Sequence, residues 1–509
     1  MITIPSLARR RRGAAVAVLV LVAAVLAACT GGSSPERPPY PNGRYSTRPN
    51  IVFVLTDDLT TNLVRFMPHV IALEHAGMRF SNYTVTDSLC CPSRASIFTG
   101  RFPHNTKIFS NNPPNGGYSR FARRGENKQT FAIPLHRAGY RTGFIGKYLN
   151  GFQVPTNQTP RKNLQAHYIP PGWSSWDGAG YAYDEYGYDL DQNGTLHHYG
   201  TRPRDYLTTV MGHLGDHFID RSARARKPFF LELSTFAPHK PAVPAKRDIG
   251  SFDLHVPRGP SYDRHPTDAP HWLRMLPKFP ASAYRSLSEH YNLRVESVQA
   301  VDRMIGHVQA TLRRTGQLKN TIFIFSSDNG YHLGQHGLLA GKLTAFDTDV
   351  RVPLVISGPG VPRNSVNSDV VQNVDLAPTF EQLAGAQTPA TVDGRSFVPL
   401  LHGRHPPWRT YATIEHRGPV QAADDPDFQT LLHGNPPTYY AMRSPDFVYV
   451  RYPAGGHEYY DLRTDPNELH NVYSSLSPSR VSYLNTTLDR LIVCRGSAQC
   501  WAAADPAAG

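Results

Sequence analysis

Asp87–Arg101 reads DSLCCPSRASIFTGR and sets two neighbouring cysteines ahead of Pro92-Ser93-Arg94. The 509-residue chain has only five cysteines, so two in one motif need a reason. Adjacent cysteines make a poor disulfide, because the bridge requires Cβ vectors turned toward each other across a defined Cα separation. No His/Cys cluster follows at zinc-ligand spacing. The alternative without chemistry is a pair of small thiols packed beside a helix start.

The other three cysteines have separate explanations. The N-terminus carries four arginines at 9–12, an apolar run from Ala14 to Ala28, and then Cys29. Basic, apolar, small-residue order is that of an export signal, and the run is short for a membrane span. Leu26-Ala27-Ala28-Cys29 resembles the bacterial lipobox, so residues 1–28 are expected to be a lipoprotein signal peptide and Cys29 its lipid site. Residues 29–47 are rich in Gly, Ser and Pro and read as a flexible tether. The expected location is therefore exported, held to the cell membrane by lipid, on its extracytoplasmic face. There, Cys494 and Cys500 lie close enough in sequence for a small-loop disulfide.

Composition narrows the function. The chain is 40% hydrophobic and 11% aromatic, which suits a globular protein. Its formal net charge is +13, and loss of residues 1–28 would take away four arginines and no acids, leaving it basic. A basic exported protein can meet acidic polymers or a membrane surface. Nucleic acid is not an expected partner, since the mature chain has neither a dense Lys/Arg run nor a zinc-finger pattern.

Around the cysteine pair, apolar runs repeatedly end in polar, charged clusters. RPNIVFVLTDDLT, Arg48–Thr60, reads as a buried strand running into Asp57-Asp58. TIFIFSSDNG, Thr321–Gly330, does the same and ends on Asp328-Asn329. Carboxylates at the carboxyl ends of core strands sit where α/β sheets bind ligands, and like charges that close need a cation. The four side chains offer only oxygen, which suits calcium or magnesium rather than zinc. PFFLELSTFAPHKP, Pro228–Pro241, is a third strand, leading to His239. Strand and helix patterns alternate over 48–405, including the amphipathic run Ser288–Arg314, which indicates an α/β sandwich with a largely parallel sheet. Residues 155–205 break that rhythm with Tyr, Gly and Asp, and read as a hairpin-bearing insertion near the site mouth.

Cys90-x-Pro92-x-Arg94 followed by ASIFTGR resembles the signature of the sulfatase family. HRAGYRTGFIGKYLNG, His136–Gly151, resembles the family's second signature and supplies Lys147, while GYHLGQHGLLAGK supplies Lys342. The resemblance covers most of residues 48–475 and implies an alkaline-phosphatase-like fold: a catalytic domain over 48–405 and a smaller C-terminal α+β subdomain over 406–509. It implies that a maturation enzyme converts Cys90 to formylglycine, with Cys91 in a tolerant position. It implies a metal, usually calcium, held by Asp57, Asp58, Asp328, Asn329 and residue 90. Cys90, Arg94, Lys147, His239 and Lys342 become the expected catalytic residues. His332 and His336 are expected sulfate- or sugar-side contacts. Many members have histidine where this chain has Leu149, followed by Asn150, a departure that bears on substrate contacts.

APHKP, GKYLN, YDLDQNG and GYHLGQHG together are most similar to N-acetylglucosamine-6-sulfatase-like members, so the expected reaction is hydrolysis of sulfate esters on amino sugars or sulfated glycans. Two other readings fit part of the pattern: a phosphonate monoester hydrolase or phosphodiesterase with the same nucleophile, and a surface protein that binds sulfated polymers without catalysis.

Overall fold

The structure is a computed structural model, and it describes residues 48–152, 168–419, 425 and 427–505. The expected signal peptide, tether and Cys29 lie outside the described residues, as does part of the expected insertion. The described residues form one compact unit. Among the described residues no helix is long and apolar enough to cross a membrane.

A ten-stranded sheet organises the unit. Its strands are β1 (Asn50–Thr56), β2 (Met78–Phe80), β3 (Arg141–Lys147), β4 (Ser175–Ala179), β5 (Tyr188–Gln192), β6 (Thr195–Tyr199), β7 (Phe229–Ser234), β8 (Thr321–Ser327), β9 (Leu354–Ser357) and β10 (Ser365–Asn367). They lie in the order β10-β2-β9-β8-β1-β7-β3-β4-β5-β6. The central run from β8 to β4 is wholly parallel, and antiparallel pairs occur toward both edges. Every residue of β1 is buried, as expected for a parallel strand covered on both faces. Its side chains alternate between two cores. Ile51, Phe53 and Leu55 join α1 (Cys90–Thr99) and α4 (Leu376–Ala384) on one face. Val52 and Val54 join α2 (Leu207–Arg224) and α3 (Ala281–Arg314) on the other.

The interrupted region adds the β5–β6 hairpin to one edge of this sheet. Asn193-Gly194 makes the turn, both with positive φ, at 53° and 87°. Asn-Gly is the pair best able to adopt that mirror-image turn, whose twist matches the flanking strands.

A second, four-stranded antiparallel sheet comprises β11 (Ala412–His416), β12 (Tyr439–Arg443), β13 (Phe447–Arg451) and β14 (His457–Asp461). It begins a few residues beyond the boundary expected at 405. Helix α5 (Pro478–Leu491) buries Leu484, Leu488 and Leu491 against Met442 and Tyr449, and a disulfide joins Cys494 to Cys500 just after it.

Register explains the position of the polar clusters. Leu55 of β1 lies opposite Ser234 of β7 and Ser326 of β8, while Gly146 of β3 lies opposite Ser234. Four parallel strands therefore end at one level, and the segments leaving them converge at one edge of the sheet.

Candidate active site

Asp57 and Asp58 follow β1, Asp328 and Asn329 follow β8, Lys147 is the last residue of β3, and His239 lies five residues beyond β7. The turn at Lys147 depends on Gly146, whose φ is +109°; a Cβ there would stand 2.0 Å from the Ser234 carbonyl oxygen. Cys90 opens α1, with Pro92 in the first turn, where its missing N–H is no loss. The helix ends at Gly100, left-handed at φ 65°.

The two cysteines face different surroundings. Cys90 Sγ lies 3.1 Å from Asp57 Oδ1 and 3.4 Å from Asp427 Oδ2, and Lys342 Nζ donates to it over 2.9 Å. Burial, then the Asp427 and Asp57 carboxylates, push its thiol well above the ordinary value. Cys91 points into the apolar core with Ala95, Phe98 and Tyr148, and burial raises its thiol to about 12.

Cations and carboxylates interlock around Cys90. Arg94 Nε donates to Asp328 Oδ2 at 2.6 Å, and its Nη1 donates to the Lys147 carbonyl at 2.8 Å and to Ser234 Oγ at 2.6 Å. Lys147 pairs with Asp57. Lys342 Nζ reaches Asp58 Oδ1 at 2.6 Å and Asp427 Oδ1 at 2.8 Å. Burial opposes the charge on both lysines, but the carboxylates outweigh it and hold their pKa values well above the ordinary one. Burial likewise opposes ionisation of Asp57, yet Lys147, His239, Arg94 and Lys342 pull its pKa below the usual carboxylate range. Asp328 goes the other way: burial, then repulsion from Asp57, raise it to about 6 despite Arg94.

His239 is committed at both nitrogens. Nδ1 donates to the Lys240 carbonyl at 2.6 Å, and Nε2 donates to Asp427 Oδ1 at 2.7 Å. Burial disfavours the imidazolium, but Asp427, Asp58 and Asp57 raise its pKa. Tyr183 packs over the ring at a 4.6 Å centroid distance, with Lys147 Nζ 4.9 Å from the Tyr183 centroid. Asn150 Nδ2 donates to the Tyr183 hydroxyl at 3.3 Å, which places Asn150 behind this wall.

Asp57, Asp58, Cys90 and His239 each offer a ligand atom within 4.8 Å of the others. A divalent ion fits the donors present: Asp58 Oδ2 and Asn329 Oδ1 are buried oxygens without a hydrogen-bond partner, an expensive condition for polar atoms. With Asp57 and Asp328 they form an all-oxygen set suited to a hard cation.

Two expected contacts sit elsewhere. His332 is fully buried, Nδ1 on Asp349 at 2.9 Å and Nε2 on the His433 carbonyl at 3.1 Å. His336 stacks on Phe346 at 3.6 Å and donates through Nε2 to the Asn467 carbonyl at 3.0 Å. Both rings are held by this neighbouring structure, and neither makes a hydrogen bond to Cys90.

Asp427 and Asn111 were missed in the sequence. Asn111 Nδ2 donates to Asp427 Oδ2 at 2.7 Å, and its Oδ1 accepts from the Cys91 N–H at 3.0 Å. Lys342 and His239 hold Asp427 well below the usual carboxylate range, although burial opposes this. It reaches the site from between β11 and β12, where no motif announces it.

Residues 49–386 match the sulfatase family, and residues 334–492 match the N-sulphoglucosamine sulphohydrolase C-terminal region. The N-acetylglucosamine-6-sulfatase of Capra hircus is 32% identical over 480 residues, covering 89% of this chain and 84% of its own length. A protein solved in complex with its substrate D-glucosamine-2-N,6-O-disulfate superposes with a TM-score of 0.72 at 23% identity, covering 87% of this chain and 97% of that one. The phosphonate monoester hydrolase of Agrobacterium radiobacter superposes at 0.66 with 21% identity, covering 87% and 95%. At those identities the two structures establish likeness of fold.

Proposed function

Because the chain belongs to the sulfatase family and is a sulfuric ester hydrolase, we propose that it removes sulfate from 6-O-sulfated amino sugars or sulfated glycans, using a formylglycine made from Cys90. One observation carries the reading: Cys90, and not Cys91, is turned into a buried cluster of Lys342, Asp57 and Asp427. The likeness over most of the chain to an N-acetylglucosamine-6-sulfatase supports the substrate class.

A sulfate ester resists attack because its sulfur is ringed by negative oxygen, so positive charge must be gathered beforehand. Lys147 and Lys342 are placed to hold sulfate oxygens, and Arg94 ties α1 to the ends of β3 and β7. Asp57, Asp58, Asp328 and Asn329 would hold calcium or magnesium, which would supply further positive charge beside residue 90. The hydrated aldehyde of formylglycine would supply the attacking hydroxyl and, through its second hydroxyl, a way to release sulfate. His239 or Lys342 would protonate the departing alcohol.

Mass spectrometry of the Phe80–Arg94 tryptic peptide tests the nucleophile, together with sulfate release from N-acetylglucosamine-6-sulfate. Two unmodified thiols in an active preparation would refute it. The fold likeness to a phosphonate monoester hydrolase favours a second reading, which matched sulfate and phosphonate esters would decide by rate. Export and lipidation at Cys29 belong to the same proposal, and release of a Cys29→Ala protein into the medium is its test.

A further inference from the structure

We infer that Tyr181 and Phe428 form a two-sided aromatic rim that takes the sugar ring next to the sulfated one, so that the substrate is an oligosaccharide; the inference rests on the glycan reading above. Among the described residues these are the only Phe, Tyr or Trp side chains that stand exposed, at 72% and 39%. Single exposed apolar residues scattered over a surface need no explanation. Here the only two aromatic ones border the same catalytic histidine, from segments far apart in the chain.

Tyr181 leaves the end of β4 and meets Tyr183 edge-on at 5.1 Å, and Tyr183 packs on His239 at 4.6 Å. From a distant segment, Phe428 directly follows Asp427, which accepts from His239 Nε2. The Phe428 carbonyl oxygen accepts from Lys240 Nζ at 3.5 Å, which ties its backbone to the residue after His239. Each exposed ring is thus one aromatic ring or one residue removed from His239. In the glycan reading the sugar whose ester is cleaved would lie against Cys90 and His239, both buried, and the exposed Tyr181 and Phe428 would meet the ring beyond it. A pyranose offers C–H groups on its faces and hydroxyls around its edge. It packs on an aromatic face while its edge stays wet, the mixed character for which aromatic side chains are enriched at binding surfaces.

The experiment uses the full-length, formylglycine-bearing protein with N-acetylglucosamine-6-sulfate and with a trisaccharide carrying the same sulfate. Tyr181→Ala and Phe428→Ala should each raise the KM for the trisaccharide roughly two- to tenfold, the size of one aromatic stacking contact. The kcat and the monosaccharide KM should stay put, and Tyr181→Phe should keep the wild-type values. An equal rise for both substrates, or none for the trisaccharide, overturns the rim while leaving the glycan reading intact. A wild-type protein that cleaves a simple aryl sulfate but neither sugar overturns the glycan reading and the rim with it.

Discussion

Substituting the two neighbouring cysteines one at a time separates chemistry from packing. Cys91 is fully buried among Ala95, Phe98 and Tyr148, and Cys91→Ala removes one sulfur from that core. Lost transfer energy and the small cavity together cost about 1–2 kcal/mol. In a unit of this size that lowers Tm by no more than about 4 °C. The Cys91 thiol meets backbone N–H groups of Gly117 and Asn150 and makes no hydrogen bond to the Cys90 cluster, so turnover at 25 °C should stay near wild type. Cys90→Ala leaves the helix and its backbone intact but deletes the precursor of the proposed nucleophile, and activity should fall at least about 10⁴-fold, as when other enzymes lose their nucleophile. Its Tm should fall by no more than that of Cys91→Ala, because the same sulfur is removed from an equally buried position. The assay pairs sulfate release with thermal melts of the same preparations. Comparable activity losses in both variants, or an active Cys90→Ala protein, would refute the reasoning.

Lys342→Ala removes a buried cation that faces Cys90, Asp58 and Asp427, and should lower kcat by about 10²–10³-fold in sulfate-release assays, the usual size for one charge-stabilising donor. Gly146→Ala places a Cβ 2.0 Å from the Ser234 carbonyl at φ +109°, so thermal melts should show a loss of about 2 kcal/mol or more, and activity should fall because Lys147 follows directly. His104, in the short helix Pro103–Thr106, pairs through Nδ1 with Glu415 of β11 at 2.6 Å; burial opposes its charge, but Glu415 raises its pKa above the ordinary 6.5. That stabilisation is complete below 6.5 and drains away as pH rises through the folded-state value. The Tm gap between wild type and Glu415→Gln should therefore be widest in acid and narrow above neutrality, and a gap that widens with alkali would contradict the pairing.

Part of this architecture was legible residue by residue. Ile51–Leu55 and Ile322–Phe325 are continuous apolar runs, as a parallel strand buried on both faces requires, and both stop at acidic residues. Asn193-Gly194 declared its hairpin because few other pairs accept two positive φ angles. His332 and His336 were harder to read for a physical reason: motif neighbourhood places a residue along the chain but does not say which way its ring turns. Asp349 and Phe346, which capture those rings, belong to the short helix Asp347–Val350 and its N-cap.

Local pattern, then, determined by itself the fold class, the family resemblance through Cys90–Arg94, and the strand-end positions of Asp57, Asp58, Asp328 and Asn329. These depend on side-chain periodicity and on residues within one turn or strand of each other. Only the tertiary structure decided which carboxylates pair with Lys147 and Lys342, and that Asp427 and Asn111 join them around Cys90. Those outcomes rest on segments hundreds of residues apart meeting at one sheet edge. There, burial makes every unpaired charge costly, so partners must come from wherever the fold brings them.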